Sequence, residues 1–154
     1  MPVDGAGGGF KGFGPDALAW LREIREHNDR AWFTEHKARY EREVRDPMRA
    51  LVEELGGLFG PGKVYRPNRD VRFSRDKRPY KEWVAALIGE DGNATGRYLQ
   101  LDADHLMVGA GTYAFDPPTL KRYRAAVVAE ASGRPLAELI SELRAAGYDV
   151  GQAT

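Results

Sequence analysis

The run Trp83–Gly89, WVAALIG, constrains this chain more than any other stretch, because it is apolar on both faces of an extended backbone. A strand of that kind cannot leave one face in water and has to lie inside a covered sheet. Turn-forming residues follow it: DGN (91–93) leads into TGRYLQL, and DADH (102–105) leads into LMVGAG. Upstream, DVRFS (70–74) alternates, which predicts Val71 and Phe73 toward the core and Asp70, Arg72 and Ser74 on the opposite face. The expectation is an antiparallel β-meander of three to four strands.

Either side of these strands the apolar spacing becomes helical. Gly14, Pro15 and Asp16 supply an N-cap, a first helical residue and an early acidic residue, and Phe13 and Leu18 have staple spacing. Ala17, Trp20, Leu21 and Ile24 then form an inward stripe that ends near His27. Asn28 or Asp29 caps a second helix bearing Trp32, Phe33, Tyr40 and Val44, with ion pairs expected at Glu35/Arg39 and Glu41/Arg45. Asp46 and Pro47 open a third helix, or a kinked continuation, that Gly56 and Gly57 should stop. Asp116–Pro117 opens another helix and Pro135 the last. Helices, then strands, then helices predict an α+β fold in which the meander packs against N-terminal and C-terminal helices.

A chain of 154 residues suits one core. Residues 1–9 read as a flexible Gly-rich tail and 10–154 as a single α+β domain. The chain has no cysteine, which excludes disulfides, thiolate metal sites and a cysteine nucleophile. The start lacks the basic and apolar runs of a secretion signal, and no apolar run is long enough to span a membrane, so a cytoplasmic protein without membrane partners is expected.

Net charge is zero, but the zero hides an asymmetry: Lys63–Lys81 holds eight Lys or Arg against Asp70 and Asp76, or +6, and the rest of the chain carries −6. Arg forks, compact Lys charges, the Ser74 hydroxyl and turn amides can together cradle a phosphate or carboxylate. The same cations would also discourage edge-to-edge pairing of an exposed strand, a purely structural role. Candidate ligand-binding residues are Arg69, Asp70, Arg72, Ser74, Asp76, Lys77, Tyr80 and Lys81. Trp32 and His36 join them because, with Tyr40, they share a helix face whose polar ends need partners. His27, His36 and His105 lack metal-binding spacing and the aspartates sit among cations, so neither a metal nor a cofactor is expected. GAGTY (109–113) lacks the full dinucleotide pattern and reads as a bulge or a point of tight packing.

The blocks NDRAWFTEHKARYEREVRDP, RDVRFSRDKRPYK and GRYLQLDADHLMVGAGTYAFDPPTLKRYR resemble, in order, the signature blocks of a bacterial and fungal family catalogued as domain of unknown function 2461. The resemblance implies that Asp70, Arg72, Phe73, Ser74, Asp76, Lys77, Pro79, Tyr80 and Lys81 fall on the family's central motif, and Asn28, Trp32 and Phe33 on its helical one. Arg75 and Arg78 depart from it toward greater basicity. The resemblance also implies a further C-terminal basic and helical segment beyond GYDVGQAT, and it carries no established activity.

The expected function is binding of a phosphate-bearing or other anionic ligand, a small molecule or a nucleic-acid backbone, through residues 66–81. The alternatives are an enzyme of phosphoryl or carboxylate chemistry using Arg72 and Lys77 with Asp70 or Asp76 as base, and a structural or interaction domain without a ligand.

Overall fold

The computed structural model describes residues 9–89, 95–112 and 115–150; the expected tail, Gly9 apart, and the 91–93 turn lie outside them. The chain divides into two compact units, Met1–Tyr113 and Ala114–Thr154.

In the first unit, Gly14 and Pro15 start α1 (Pro15–Glu26), whose stripe Ala17, Trp20, Leu21 and Ile24 is buried. Phe13 and Leu18 both pack against the core, as their spacing predicts. Asp29 caps α2 (Arg30–Tyr40), its Oδ1 accepting from Trp32 N at 2.9 Å. The chain then continues through a π-helical turn, Glu41–Arg45, into α3 (Asp46–Phe59). Of the two expectations for this region, the unbroken helix is the one formed. In the π turn the Asp46 amide reaches back to the Glu41 carbonyl, so one extra residue is absorbed. Tyr40, Val44, Met48 and Val52 are spaced by four and would drift around an α-helix; with the extra residue taken up, all four are buried.

Gly56 and Gly57 do not stop α3, which runs on to Phe59. Glycine inside a helix costs about 1 kcal/mol but does not break the hydrogen-bond ladder. The stop is Gly60, whose φ of 87° few other residues adopt. Arg45 pairs with Glu41 at 2.9 Å as expected, whereas Arg39 turns from Glu35 to Glu23 on α1, at 2.7 Å.

The sheet is β1 (Gly62–Val64), β2 (Trp83–Ile88), β3 (Thr95–Asp102) and β4 (Leu106–Thr112), antiparallel and in that order. WVAALI is an inner strand, paired to β1 through Val64↔Ala86 and to β3 through Ala86↔Leu99. Val84, Ala86, Ile88, Leu99 and Leu101 form the face that joins the core of α1, α2 and α3. At Gly62 a Cβ would lie 2.6 Å from Val52 Cγ1 and 2.9 Å from Ile88 Cγ1, so the missing side chain is what lets α3 approach β1.

The second unit contains α4 (Pro117–Val128), capped by Asp116 Oδ1 accepting from Thr119 N at 2.7 Å, and α5 (Glu130–Ala145). The last helix begins at Glu130, not at Pro135. Gly133 N bonds to Ala129 O at 2.6 Å, and a Cβ there would lie 2.3 Å from the Val127 carbonyl oxygen, so glycine permits the early, tight entry. The structure is therefore α+β, with an antiparallel four-stranded meander. Among the described residues no helix is long and apolar enough to cross a membrane.

Candidate functional site

Strands β1 and β2 pair in register, yet a long loop, Tyr65–Glu82, separates them and carries the basic motif. Its two arms are tied together near the base: Tyr65 N bonds to Ala85 O, Arg69 N to Pro79 O and Lys81 N to Pro67 O, each at 2.8 Å. Pro67 and Pro79 have no amide hydrogen and serve here as acceptors. From below, the Asn28 side chain mimics a backbone strand. Its Nδ2 donates to Tyr80 O and its Oδ1 accepts from Tyr80 N, both at 3.0 Å. Phe33 stacks on the Tyr80 ring, with centroids 4.0 Å apart and planes 10° apart. The loop base is thus fixed to the α1–α2 corner.

The loop tip is a network of paired charges. Asp70 Oδ1 accepts from Arg72 N at 3.3 Å and Nε at 2.9 Å, and Oδ2 accepts from Nη2 at 2.6 Å. Asp76 accepts from Arg69 Nη1 at 2.5 Å and from Arg78 N at 3.0 Å and Nη2 at 2.8 Å. Arg78 also bridges to Glu82. Lys77 Nζ donates to Val71 O at 3.0 Å. Lys81 Nζ donates to Arg66 O at 2.9 Å and sits 4.8 Å from the Trp83 ring centroid and 5.4 Å from that of Tyr65. Among the described residues, the guanidinium groups of Arg66 and Arg75 make no hydrogen bond or ion pair.

These contacts set the titration of the loop. Arg78 first, then Arg69, hold the Asp76 carboxyl far below the usual carboxylate range. Hydrogen bonds from Arg72 lower that of Asp70. Burial, and secondarily the charge of Arg66, lowers the Lys81 ammonium.

One expectation fails here. Residues 70–74 are not a strand, Val71 is only half-buried, and Phe73 is 97% exposed. The alternation of residue types is real, but Asp70 and Asp76 each bond an amide two residues ahead, and such turns bend the backbone out of the extended form that alternation requires. Arg72 is accordingly an exposed partner of Asp70, not a buried one. Ser74 contributes its amide, which bonds to Val71 O at 3.4 Å.

The structure brings Arg69, Asp70, Arg72, Ser74, Asp76, Lys77, Tyr80 and Lys81 onto one loop and leaves Trp32 and His36 apart from it. Their rings stack on each other at 4.1 Å, and His36 Nδ1 donates to the Trp32 carbonyl at 2.8 Å, so the helix itself supplies the partner that His36 needs. Tyr40 is in the core, and burial raises its pKa to about 12. Sequence reasoning missed the clamp by Asn28, because a side chain that pairs with a backbone 52 residues away leaves no local pattern.

Two other places are distinctive. A cavity of about 490 Å³ opens on the sheet face away from the core, lined by Tyr65, Leu87, Gly96, Tyr98 and the 109–112 segment of β4. Among the described residues, a Cβ at Gly109 or Gly111 would have nothing within 4 Å, so the tight packing expected at GAGTY is not formed at these two glycines. Asp102, Asp104 and His105 cluster at the β3–β4 turn. Asp102 Oδ1 there accepts from the amides of Asp104 at 2.7 Å and His105 at 2.8 Å, and Asp104 pairs with Arg25 at 3.0 Å, so these carboxylates hold the turn.

The family model described as a conserved hypothetical protein, DUF2461, matches residues 16–152, and the chain belongs to that family. No curated protein and no solved structure matches it.

Proposed function

We propose that this DUF2461 member binds a phosphate-bearing anionic ligand through the loop from Arg66 to Lys81. One observation carries the reading: the loop holds seven cations against two carboxylates, and two of those cations, Arg66 and Arg75, have guanidinium groups with no hydrogen bond or ion pair among the described residues. A guanidinium without a carboxylate keeps its whole donor fork for an incoming oxyanion. Arg72 adds to this, since Asp70 engages its Nε and Nη2 and leaves Nη1 available. The paired residues support the site by fixing the loop before a ligand arrives, which lowers the ordering cost of binding.

The carboxylates suit a binding role better than proton transfer. A general base works best with a pKa near the working pH, and the arginines hold Asp70 and Asp76 on the acid side of the ordinary carboxylate range. Inorganic pyrophosphate titrated calorimetrically at low ionic strength tests the reading. Arg66→Ala and Arg75→Ala should each weaken binding by about 1.5–3 kcal/mol, the worth of a charged hydrogen bond. Binding unchanged in the double variant, or none in the wild type, would overturn it.

A further inference from the structure

The loop presents, besides its charges, an almost fully exposed aromatic ring. Phe73 is 97% exposed, makes no ring contact among the described residues, and lies between Arg72 and Arg75 on a loop whose base is clamped by Asn28 and Tyr80. Isolated exposed apolar side chains are ordinary. A ring held out by a braced loop, one residue from a half-engaged guanidinium and two from a free one, is a different arrangement. We infer that the ligand of this loop is a single-stranded nucleic acid, with a base stacked on Phe73 and its flanking phosphates on Arg75, Arg72 and Arg66. This rests on the anion-binding reading above and names its ligand class.

Shape and charge both favour a single strand. Two residues span about 7 Å at most, the scale that separates a base from the phosphates of its own nucleotide. Every base offers a π-face, so an aromatic ring beside cations is sequence-tolerant recognition. The asymmetry of charge restricts the width of the partner. Lys63–Lys81 carries +6 and the remainder of the chain −6. A broad anionic surface has to pass over more of that net-negative remainder than a narrow strand does, and is repelled by whatever part of it comes within a Debye length of about 8–10 Å.

The test is fluorescence polarisation with a labelled single-stranded oligonucleotide of about 12 nucleotides, within the span a small domain covers. Its duplex serves as one comparison, and sedimentation with phosphatidylserine/phosphatidylcholine vesicles as another. The expected result is binding of the single strand in preference to the duplex, with log K falling against log salt at a slope of about −2 to −3.5 for three to five contacts. Phe73→Ala should weaken binding about 5- to 150-fold at an unchanged salt slope, while Phe73→Trp retains affinity. Arg66→Ala and Arg75→Ala should make the slope shallower. Unchanged affinity in Phe73→Ala with loss in the arginine variants would overturn the stacking inference and leave the anion site standing. Binding to vesicles but not to the oligonucleotide would overturn it in favour of lipid phosphate. No binding to oligonucleotide, vesicles or pyrophosphate would overturn both readings.

Discussion

Replacing Asn28 by alanine should release the basic loop from the helices. The perturbation removes two hydrogen bonds, each 3.0 Å long, to the backbone of Tyr80, a residue only 7% exposed. A net contribution of about 0.5–1.5 kcal/mol per bond gives about 1–3 kcal/mol, and stranding the Tyr80 amide and carbonyl places the cost in the upper part of that range. Asn28→Asp separates the two bonds. The introduced carboxylate can still accept from Tyr80 N but faces Tyr80 O without a proton, which raises its folded pKa above the usual value of about 3.9. The stability it recovers is therefore present below about pH 4 and lost as pH rises. Urea denaturation of the three proteins measures the stability. Hydrogen exchange at Arg69 and Lys81, whose amides bond across the loop base at 2.8 Å, measures the loop separately. A cost below about 0.5 kcal/mol with both amides still protected would refute the clamp.

Other expectations follow from particular contacts. Gly62→Ala should cost about 1–3 kcal/mol by overpacking, read from the urea midpoint, because the new methyl would meet Val52 and Ile88 under 3 Å away. Tyr40, whose pKa burial raises to about 12, contributes stability that is full below about pH 10 and lost as pH climbs toward 12; Tyr40→Phe should flatten that part of the stability curve. Asp76, whose carboxyl is lowered by Arg78 and Arg69, works in the opposite sense. Its contribution is present above about pH 4 and lost on acidification below that, so Asp76→Asn should make an acid titration of loop amide exchange less steep.

The elements visible in the sequence were those whose stabilising contacts lie close in the chain. Gly14–Pro15 and Asp29 act within a turn of the helices they cap, and the two-faced apolar run of β2 marks an inner strand by itself. The DVRFS segment misled for the same reason: residue alternation is a local signal, and it was overridden by side chain-to-backbone turns at Asp70 and Asp76. In the candidate site, the charge density of the loop could be read directly. Which cations are paired could not, since Arg69 meets Asp76 across the loop and Arg78 divides itself between Asp76 and Glu82. The anchoring of Tyr80 by Asn28 and Phe33 depends on the tertiary fold alone.

The π-helical turn at Glu41–Arg45 makes the length of this chain, and not only its chemistry, part of the fold. Each α-helical residue advances the side-chain direction by about 100°. Excising the solvent-facing Arg42 would remove the residue that the π turn absorbs, let the backbone relax to ordinary α-helix, and leave Met48 and Val52 facing the sheet as before. The same deletion made in the regular turns of α3 has no bulge to take it up and would rotate every side chain downstream of it by that angle. Within this family, single-residue gaps should accordingly fall across 41–45 more often than along the regular turns of α3, a pattern that an alignment of its members can reveal.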